Sequence, residues 1–305
     1  MEFAISIPQF FADGEFDAAA FAAYLNRVEE LGFDSAWTQE QVLGTMPQLS
    51  PIETMTFAAA QTERLRLGCA VFVTTLHNPV HLAKSLSTLD QLCRGRLEVG
   101  VGTGGRGRMF AAFGVDPARF VGQFNEGLAL MKELWTQSRV NFDGQFWQLE
   151  DAAMEPKPFQ KPHPPIWFGG SSPAAVRRAV RHGNGFFGAG SSTTAQFAEQ
   201  VRTVYAALTE HERPAADFPI AKRVYIAVDD DAARARERTN AALAVLYGRR
   251  SETIEAAAIT GTPEDCVREL RDVEAAGAQR ILFTHLFDHA EQAERLATEI
   301  VPHFR

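Results

Sequence analysis

A chain of 305 residues, 46% hydrophobic and 22% charged, has enough apolar material for a large core, whether as two domains or as one α/β barrel with insertions. A net charge of −8, with acids and bases interspersed, argues against a nucleic-acid binder, and no apolar run reaches the roughly 18 residues of a membrane span. Met1 leads directly into an apolar strand, and Cys69, Cys93 and Cys266 lack metal-type spacing, so a cytoplasmic protein with buried thiols is expected.

The first predicted strand covers 3–8, and a helix over 17–31 follows with Phe21, Tyr24, Leu25, Val28 and Leu31 on one face. A strand at 34–38 ends near Trp37, which reads as core, and a helix over 51–62 opens on Ser50-Pro-Ile-Glu53, a capping-box pattern. Residues 64–105 form a β-α-β unit: an apolar strand at 66–74, a helix over 79–93 with Leu82, Leu86 and Leu89 in register, and a strand at 96–101. Apolar strands of this length need a parallel sheet covered by helices. A helix over 117–137 comes next, then a small hairpin and a proline-rich crossing segment over 140–164. Strands at 165–168, 185–188, 222–228 and 279–284 alternate with helices over 173–182, 194–211, 230–247, 263–276 and 289–302. The stretch 248–262 reads as a mobile loop or a short helix.

The punctuation repeats. Gly32, Gly183 and Gly277 close helices, since glycine takes φ > 0 without steric cost. Ser50-Pro51, Asn78-Pro79, Asp116-Pro117, Ser172-Pro173 and Thr262-Pro263 each place a capping residue before a proline at the first helical position. Alternating β and α units in this number fit a TIM (β/α)8 barrel with short insertions, one domain spanning 1–305.

The loops after the strands form the functional face of such a barrel, and the helices that follow aim their N–H groups at it. Two neighbouring turns carry the anion-binding signal: Gly169, Gly170, Ser171 and Ser172, then Gly188, Ala189, Gly190 and Ser191. They read either as a shared phosphate site or as tight turns with caps. Gly100-Val-Gly-Thr-Gly-Gly105 matches GxGxxG, but no helix opens at once behind it, so a dinucleotide fold is disfavoured. Glycines there let a planar ligand approach the backbone, and Arg106 and Arg108 read as partners of an anionic tail or as solvated surface charges. Glu40 and Gln41 emerge where barrel enzymes keep catalytic groups. Phe10, Phe11, Phe72, Phe110 and Trp147 read as pocket lining or simply as core. His77 and His81 flank a helix start, and His163, His182, His211, His289 and His303 read as solvent or cap positions. Without a His-x-His pair or a Gly-x-Ser-x-Gly turn, a metal site and Ser-His-Asp catalysis are not expected.

Leu31-Gly-Phe-Asp-Ser-Ala-Trp37, Arg66-Leu-Gly-Cys-Ala-Val71, Leu89-Asp-Gln-Leu-Cys-Arg-Gly-Arg-Leu-Glu-Val-Gly-Val-Gly102, Ala112-Phe-Gly-Val115, Pro164-Pro-Ile-Trp-Phe-Gly-Gly170 and Gly261-Thr-Pro-Glu264 occur in this order along nearly the whole chain. In these the chain resembles the bacterial luciferase-like monooxygenase family, and particularly its branch of coenzyme F420-dependent oxidoreductases. The resemblance implies a cofactor whose ring lies across the third and fourth strands and whose phosphate sits between the loops after the fifth and sixth. Ala70, Val71 and Phe72 would back the ring, Gly102, Thr103, Gly104 and Arg106 would border it, and the two glycine-serine turns would hold the phosphate. It also implies a non-proline cis peptide between Ala70 and Val71, and a homodimer.

Two departures matter. The family commonly has an acid followed by a histidine after the second strand, where this chain has Glu40-Gln41, and glutamine does not titrate near neutrality. The sugar-phosphate dehydrogenases of the branch place a glutamate where this chain has Gly105. F420 carries more negative charge than FMN, and Arg106, Arg108, Arg177 and Arg178 would suit the longer anion. The expected activity is therefore F420-dependent hydride transfer to or from a small organic substrate. An FMN-dependent monooxygenase using reduced flavin and dioxygen, and a non-catalytic flavin or F420 carrier, are the alternatives.

Overall fold

A computed structural model of the protein describes residues 1–11, 15–44, 46–104 and 109–305. The elements run β1 (Glu2–Ser6), α1 (Ala18–Glu30), β2 (Ser35–Thr38), α2 (Pro51–Gln61), β3 (Arg66–Val73), α3 (Pro79–Leu92), β4 (Leu97–Gly102), α4 (Met109–Ala112) and α5 (Phe120–Thr136). A hairpin of β5 (Val140–Asp143) and β6 (Gln148–Ala152) precedes β7 (Ile166–Gly169), α6 (Pro173–His182), β8 (Gly185–Gly188) and α7 (Thr194–Glu210). The chain closes with β9 (Ile220–Val228), α8 (Ala232–Tyr247), α9 (Glu252–Glu255), β10 (Ile259–Gly261), α10 (Pro263–Ala275), β11 (Arg280–Thr284) and α11 (His289–Arg295), which continues as a π-helical turn over Leu296–Ile300 and a 3-10 turn over Val301–His303. The main sheet has nine strands; β10 hangs on the end of β9, and the other eight close on one another through the β8–β9 pairing. All barrel pairings are parallel. The expected TIM barrel is the fold.

The helix starts follow from their caps. Asp17 accepts the N–H groups of Ala19 and Ala20, Asn78 those of Val80 and His81, and Thr262 that of Asp265 in a complete capping box. At α2 the capping box is absent, because the Ser50 hydroxyl donates to the Glu53 carboxylate and leaves the backbone alone. Asp116-Pro117 opens a turn, not the helix: Asp116 accepts the Ala118 N–H, and α5 begins at Phe120. Gly32 and Gly277 take the expected positive φ, of 80° and 108°. Gly183 does not, with φ −104°; an added Cβ there would lie 2.7 Å from the Phe168 ring, so space is the reason for glycine. The 248–262 stretch holds both α9 and β10, a three-residue strand too short to show in the pattern.

Most of the core lies between strands and helices, and a second cluster fills the barrel: Ala4, Trp37, Trp167, Phe187, Ala221 and Leu282. Trp37 is 1% exposed and packs edge-on against Trp167 and Phe187. Gly68 faces it, where a Cβ would come within 2.5 Å of the indole. At the strand N-termini a buried ion network closes the barrel. Arg280 reaches Glu98 at 2.5 Å and Glu2 at 2.6 Å, Arg66 takes the other Glu98 oxygen at 2.6 Å, and the Arg280 guanidinium lies 4.7 Å from the Trp167 ring centroid. Burial alone would raise the Glu98 pKa, but Arg280 and Arg66 outweigh it and hold the group below the usual carboxylate range. Charges at this end of a barrel serve stability.

Candidate active site

Two adjoining cavities open at the carboxyl ends of the strands. The first, of about 270 Å³, lies over β3, β4, β7, β8 and β9. Its back is Ala70 and Val71, joined by a cis peptide as expected. The inward–outward alternation of β3 breaks here: the register with β4 shifts between Cys69 and Phe72, so two successive residues face the cavity. Phe72 therefore points the other way. It is fully buried in the outer core, edge-on to His77, and does not line the cavity.

Val71 lies directly on bare backbone. A Cβ at Gly102 would sit 2.6 Å from its Cγ2 atom and one at Gly169 3.0 Å from Cγ1, so the glycines make a flat seat. Gly102, Thr103 and Gly104 form the rim after β4, and Thr75 holds it by donating to the Thr103 carbonyl at 3.0 Å. Arg106, with Gly105 and Arg108, lies outside the described residues.

Across the cavity stand the two turns, with Gly169 and Gly170 on one and Gly188, Ala189, Gly190 and Ser191 on the other. The amides of Gly170, Ser171, Gly190 and Ser191 have no acceptor among the described residues. Donors left unpaired beside two helix N-termini are what an anion needs. Ser171 faces a neighbouring polar groove between α6 and α7, which shares Ser191 with the cavity. Ser172 is spent on its helix, accepting the Ala175 N–H. Arg177 pairs with Glu210 and Arg178 lies over the Phe124 ring, so neither serves the cavity as a tail partner.

Lys222 explains why the second turn presents amides. Its Nζ, 1% exposed on the outer side of β9, donates to the carbonyls of Ala189 and Ser192, the latter at 2.8 Å. With the carbonyls drawn outward, the N–H groups remain for a ligand. Burial and then the neighbouring Arg223 pull the Lys222 pKa down from 10.5 to about 7. The unfolded chain then holds more protons between these values, so stability must rise with pH across that window, by up to about 1.4 kcal/mol per unit. Thermal melts at pH 7 and 9 should show the wild type gaining on Lys222→Met; parallel pH slopes in the two proteins would refute this.

Glu40 is not free for proton transfer. Its side chain is 4% exposed, one oxygen accepts the Val73 N–H at 2.7 Å and the other pairs with His77 at 2.8 Å. It clasps the end of β3 to the β2 loop. Gln41 is exposed, its Nε2 donating to the Leu43 carbonyl at 3.5 Å, and it is not among the described residues lining either cavity.

The second cavity, of about 220 Å³, lies over β1, β2, β9 and β11 and is mostly apolar, with Ile7, Phe10, Leu246 and Leu286 among its walls. Of the aromatic candidates only Phe10 lines it. Phe110 sits in a satellite cluster with Leu76 and Val115, Phe11 rests on Phe16, and Trp147 packs on the core. Gln9 fixes the floor by donating to the Gln39 and Leu49 carbonyls and accepting the Gln39 N–H at 2.6 Å.

Arg223 lines both cavities. Its Nε donates to Thr284 at 3.0 Å and a terminal nitrogen to Gln39 at 2.6 Å, and among the described residues it has no carboxylate partner. Beyond it Tyr225 and Tyr247, joined hydroxyl to hydroxyl at 2.8 Å, close the first cavity. His285 and His289 line the second: His285 is buried and bonded to Tyr24, and half-buried His289, the first residue of α11, extends the chain from there. Sequence reasoning missed all of these residues. The consecutive cations Lys222-Arg223 inside an apolar strand were a usable signal. The histidine chain left none, because 261 positions separate Tyr24 from His285.

A parallel barrel with a glycine-floored cleft, unpaired amides at two turns and an adjoining apolar cavity defines a coenzyme-binding (β/α)8 enzyme. Residues 1–249 match the luciferase-like monooxygenase family, and the chain belongs to it. An F420-dependent glucose-6-phosphate dehydrogenase of Beutenbergia cavernae is 29% identical over 93% of this chain and 92% of its own. The namesake from Amycolatopsis mediterranei is 31% identical over 56% of this chain and 54% of its own, and the chain spans about half the length of the first curated relatives it matches. In fold it is similar to the monooxygenase RslO1 of Streptomyces bottropensis, with a TM-score of 0.86 over all of both chains at 24% identity.

Proposed function

We propose that the protein is an F420-dependent oxidoreductase that moves a hydride between the deazaflavin and a small organic substrate. The observation that carries this is the first cavity: a flat floor where any Cβ at Gly102 or Gly169 would collide with Val71, facing the unpaired amides of Gly170, Gly190 and Ser191. A planar ring and a phosphate fit these residues. Ala70 and Val71 would back the ring, Gly102, Thr103 and Gly104 would border it, and Gly170, Ser171, Gly190 and Ser191 would take the phosphate. The choice of F420 draws on the dehydrogenase relatives, one of which aligns over nearly the whole chain. Glucose 6-phosphate does not follow, since Gly105 stands where those relatives are expected to have glutamate.

When bound, the deazaflavin supplies two-electron hydride chemistry, so most of the catalytic power is the cofactor's. The chain's own residues orient the reactants and exclude water. Arg223 stands where the two cavities meet and presents positive charge to a substrate oxygen, while the apolar walls hold the substrate body. The buried, unpaired Cys69, Cys93 and Cys266 support a reducing, cytoplasmic setting. One domain over 1–305 and a homodimer belong to the same reading, and sedimentation velocity decides the latter.

Titrating the protein with F420 and with FMN while following fluorescence tests the reading. Micromolar or tighter F420 binding with FMN at least tenfold weaker is expected. The reverse order would point to FMN, whose single phosphate the same amides would suit, and binding of neither would overturn the proposal.

A further inference from the structure

We propose that His289 is the proton-transfer group of this site, held as a bare-nitrogen base by a one-way chain of hydrogen bonds, and that the apolar cavity before it takes a carbinol or its carbonyl counterpart. This rests on the hydride-transfer reading above. Tyr24 donates its one hydroxyl hydrogen to the Ser6 carbonyl at 2.9 Å, and a carbonyl can only accept. The Tyr24 oxygen can then only accept from His285 Nε2, also at 2.9 Å, which fixes the proton of His285 on that nitrogen. His285 Nδ1 is left bare. It lies 2.7 Å from His289 Nδ1, so the hydrogen between them belongs to His289. His289 Nε2 carries no proton as a result, and it has no partner among the described residues, on a side chain that lines the cavity.

The surroundings keep the base neutral. Burial, then His289, holds the His285 pKa well below the ordinary imidazole value, and burial lowers that of His289 against the opposing pull of Asp288. Asp288 is itself paired with Arg238 of α8 at 2.6 Å. Tyr24 of α1 faces the pair from below, and Arg223 of β9 lines the same cavity. Among the described residues lining it there is no carboxylate to retain an imidazolium. Arg223, whose hydrogen bonds among the described residues go to Thr284 and Gln39, offers the charge that an oxygen becoming an oxyanion requires. A base and a cation around one oxygen, with apolar walls beyond, select a carbon bearing that oxygen.

The step balances. The carbinol O–H bond breaks and its proton goes to His289 Nε2; the C–H electron pair leaves as hydride to the oxidised deazaflavin; the C=O bond forms. His289 then releases its proton to solvent. The base the family is expected to carry where this chain has Gln41 is supplied here by the first residue of α11.

The wild-type protein labelled with ¹⁵N-histidine, without cofactor at pH 7.5, tests the chain through two-bond ¹H–¹⁵N correlations. His289 should be protonated on Nδ1 only and His285 on Nε2 only, and Tyr24→Phe should mix the tautomers. His289 protonated on Nε2, or cationic at that pH, would overturn the proposal. With F420 bound, oxidation of 2-hexanol and cyclohexanol should fall roughly a hundredfold or more in kcat for His289→Gln, with F420 affinity unchanged. The wild-type kcat should fall on the acid side as His289 gains its proton, and that limb should vanish in the variant. A variant that keeps both kcat and the acid limb, or a wild type that binds F420 yet oxidises neither alcohol nor reduces 2-hexanone, would sink the inference while leaving the cofactor reading intact. Loss of F420 binding by the wild type would sink that reading, and the tautomers would still judge the chain.

Discussion

Gly102→Val should lower F420 affinity at least a hundredfold, about 2.8 kcal/mol, while the barrel still folds. Gly102 ends β4 beneath Val71, and any Cβ there falls 2.6 Å from the Val71 Cγ2 atom. The other methyl of Val71 sits over the bare backbone of Gly100 and Gly169, 3.4 Å and 3.0 Å from where their Cβ atoms would be, so the side chain is seated on glycine on both sides. The displaced side chain must rise into the space assigned to the ring. Overpacking of this kind costs about 1–3 kcal/mol of stability, well within what a chain of this size tolerates. Fluorescence titration beside a thermal melt separates the two effects. A folded variant whose F420 dissociation constant stays within threefold of wild type would refute the seat described for Val71.

Arg280→Leu should have the largest effect on stability and little on cofactor binding. Glu98 is 2% exposed, and removing Arg280 leaves it with Arg66 alone while Glu2 also loses its partner. Breaking one side of a buried ion pair costs about 3–5 kcal/mol, which lowers Tm by roughly 6–15 °C. The pH dependence has a definite sign. Arg280 and Arg66 depress the Glu98 pKa in the folded protein against the cost of its burial, so their stabilisation is present at neutral pH and lost as pH falls through that depressed value. The Tm gap between wild type and variant should therefore narrow on acidification. F420 affinity of the folded variant should match wild type, since the network lies at the opposite end of the strands. A Tm change under 2 °C at pH 7 would contradict the role given to Arg280.

The barrel was legible because its signals are local. Apolar runs mark the eight barrel strands, and proline after a capping residue marks helix starts, except at Asp116, where the cap serves a turn. The two glycine-serine turns were legible for the same reason, since small residues at a strand end are read without knowing the fold. What failed depended on partners distant in sequence. Glu40 has a catalytic position, but the Val73 N–H and His77 occupy its oxygens. Phe72 seemed to follow Val71 along the cavity wall, but the break in alternation at Ala70 and Val71 turns it outward. Ser172 looked like a phosphate ligand and is a cap. His285 and His289 look unremarkable in sequence; only closure of β11 onto β1 brings them to Tyr24.

The most direct test is a crystal structure of the protein grown with F420. Density for a deazaflavin ring stacked on Ala70 and Val71, with its phosphate against the amides of Gly170, Ser171, Gly190 and Ser191, is the predicted result. A ring bound elsewhere, or that cleft left vacant at saturating F420, would contradict the account.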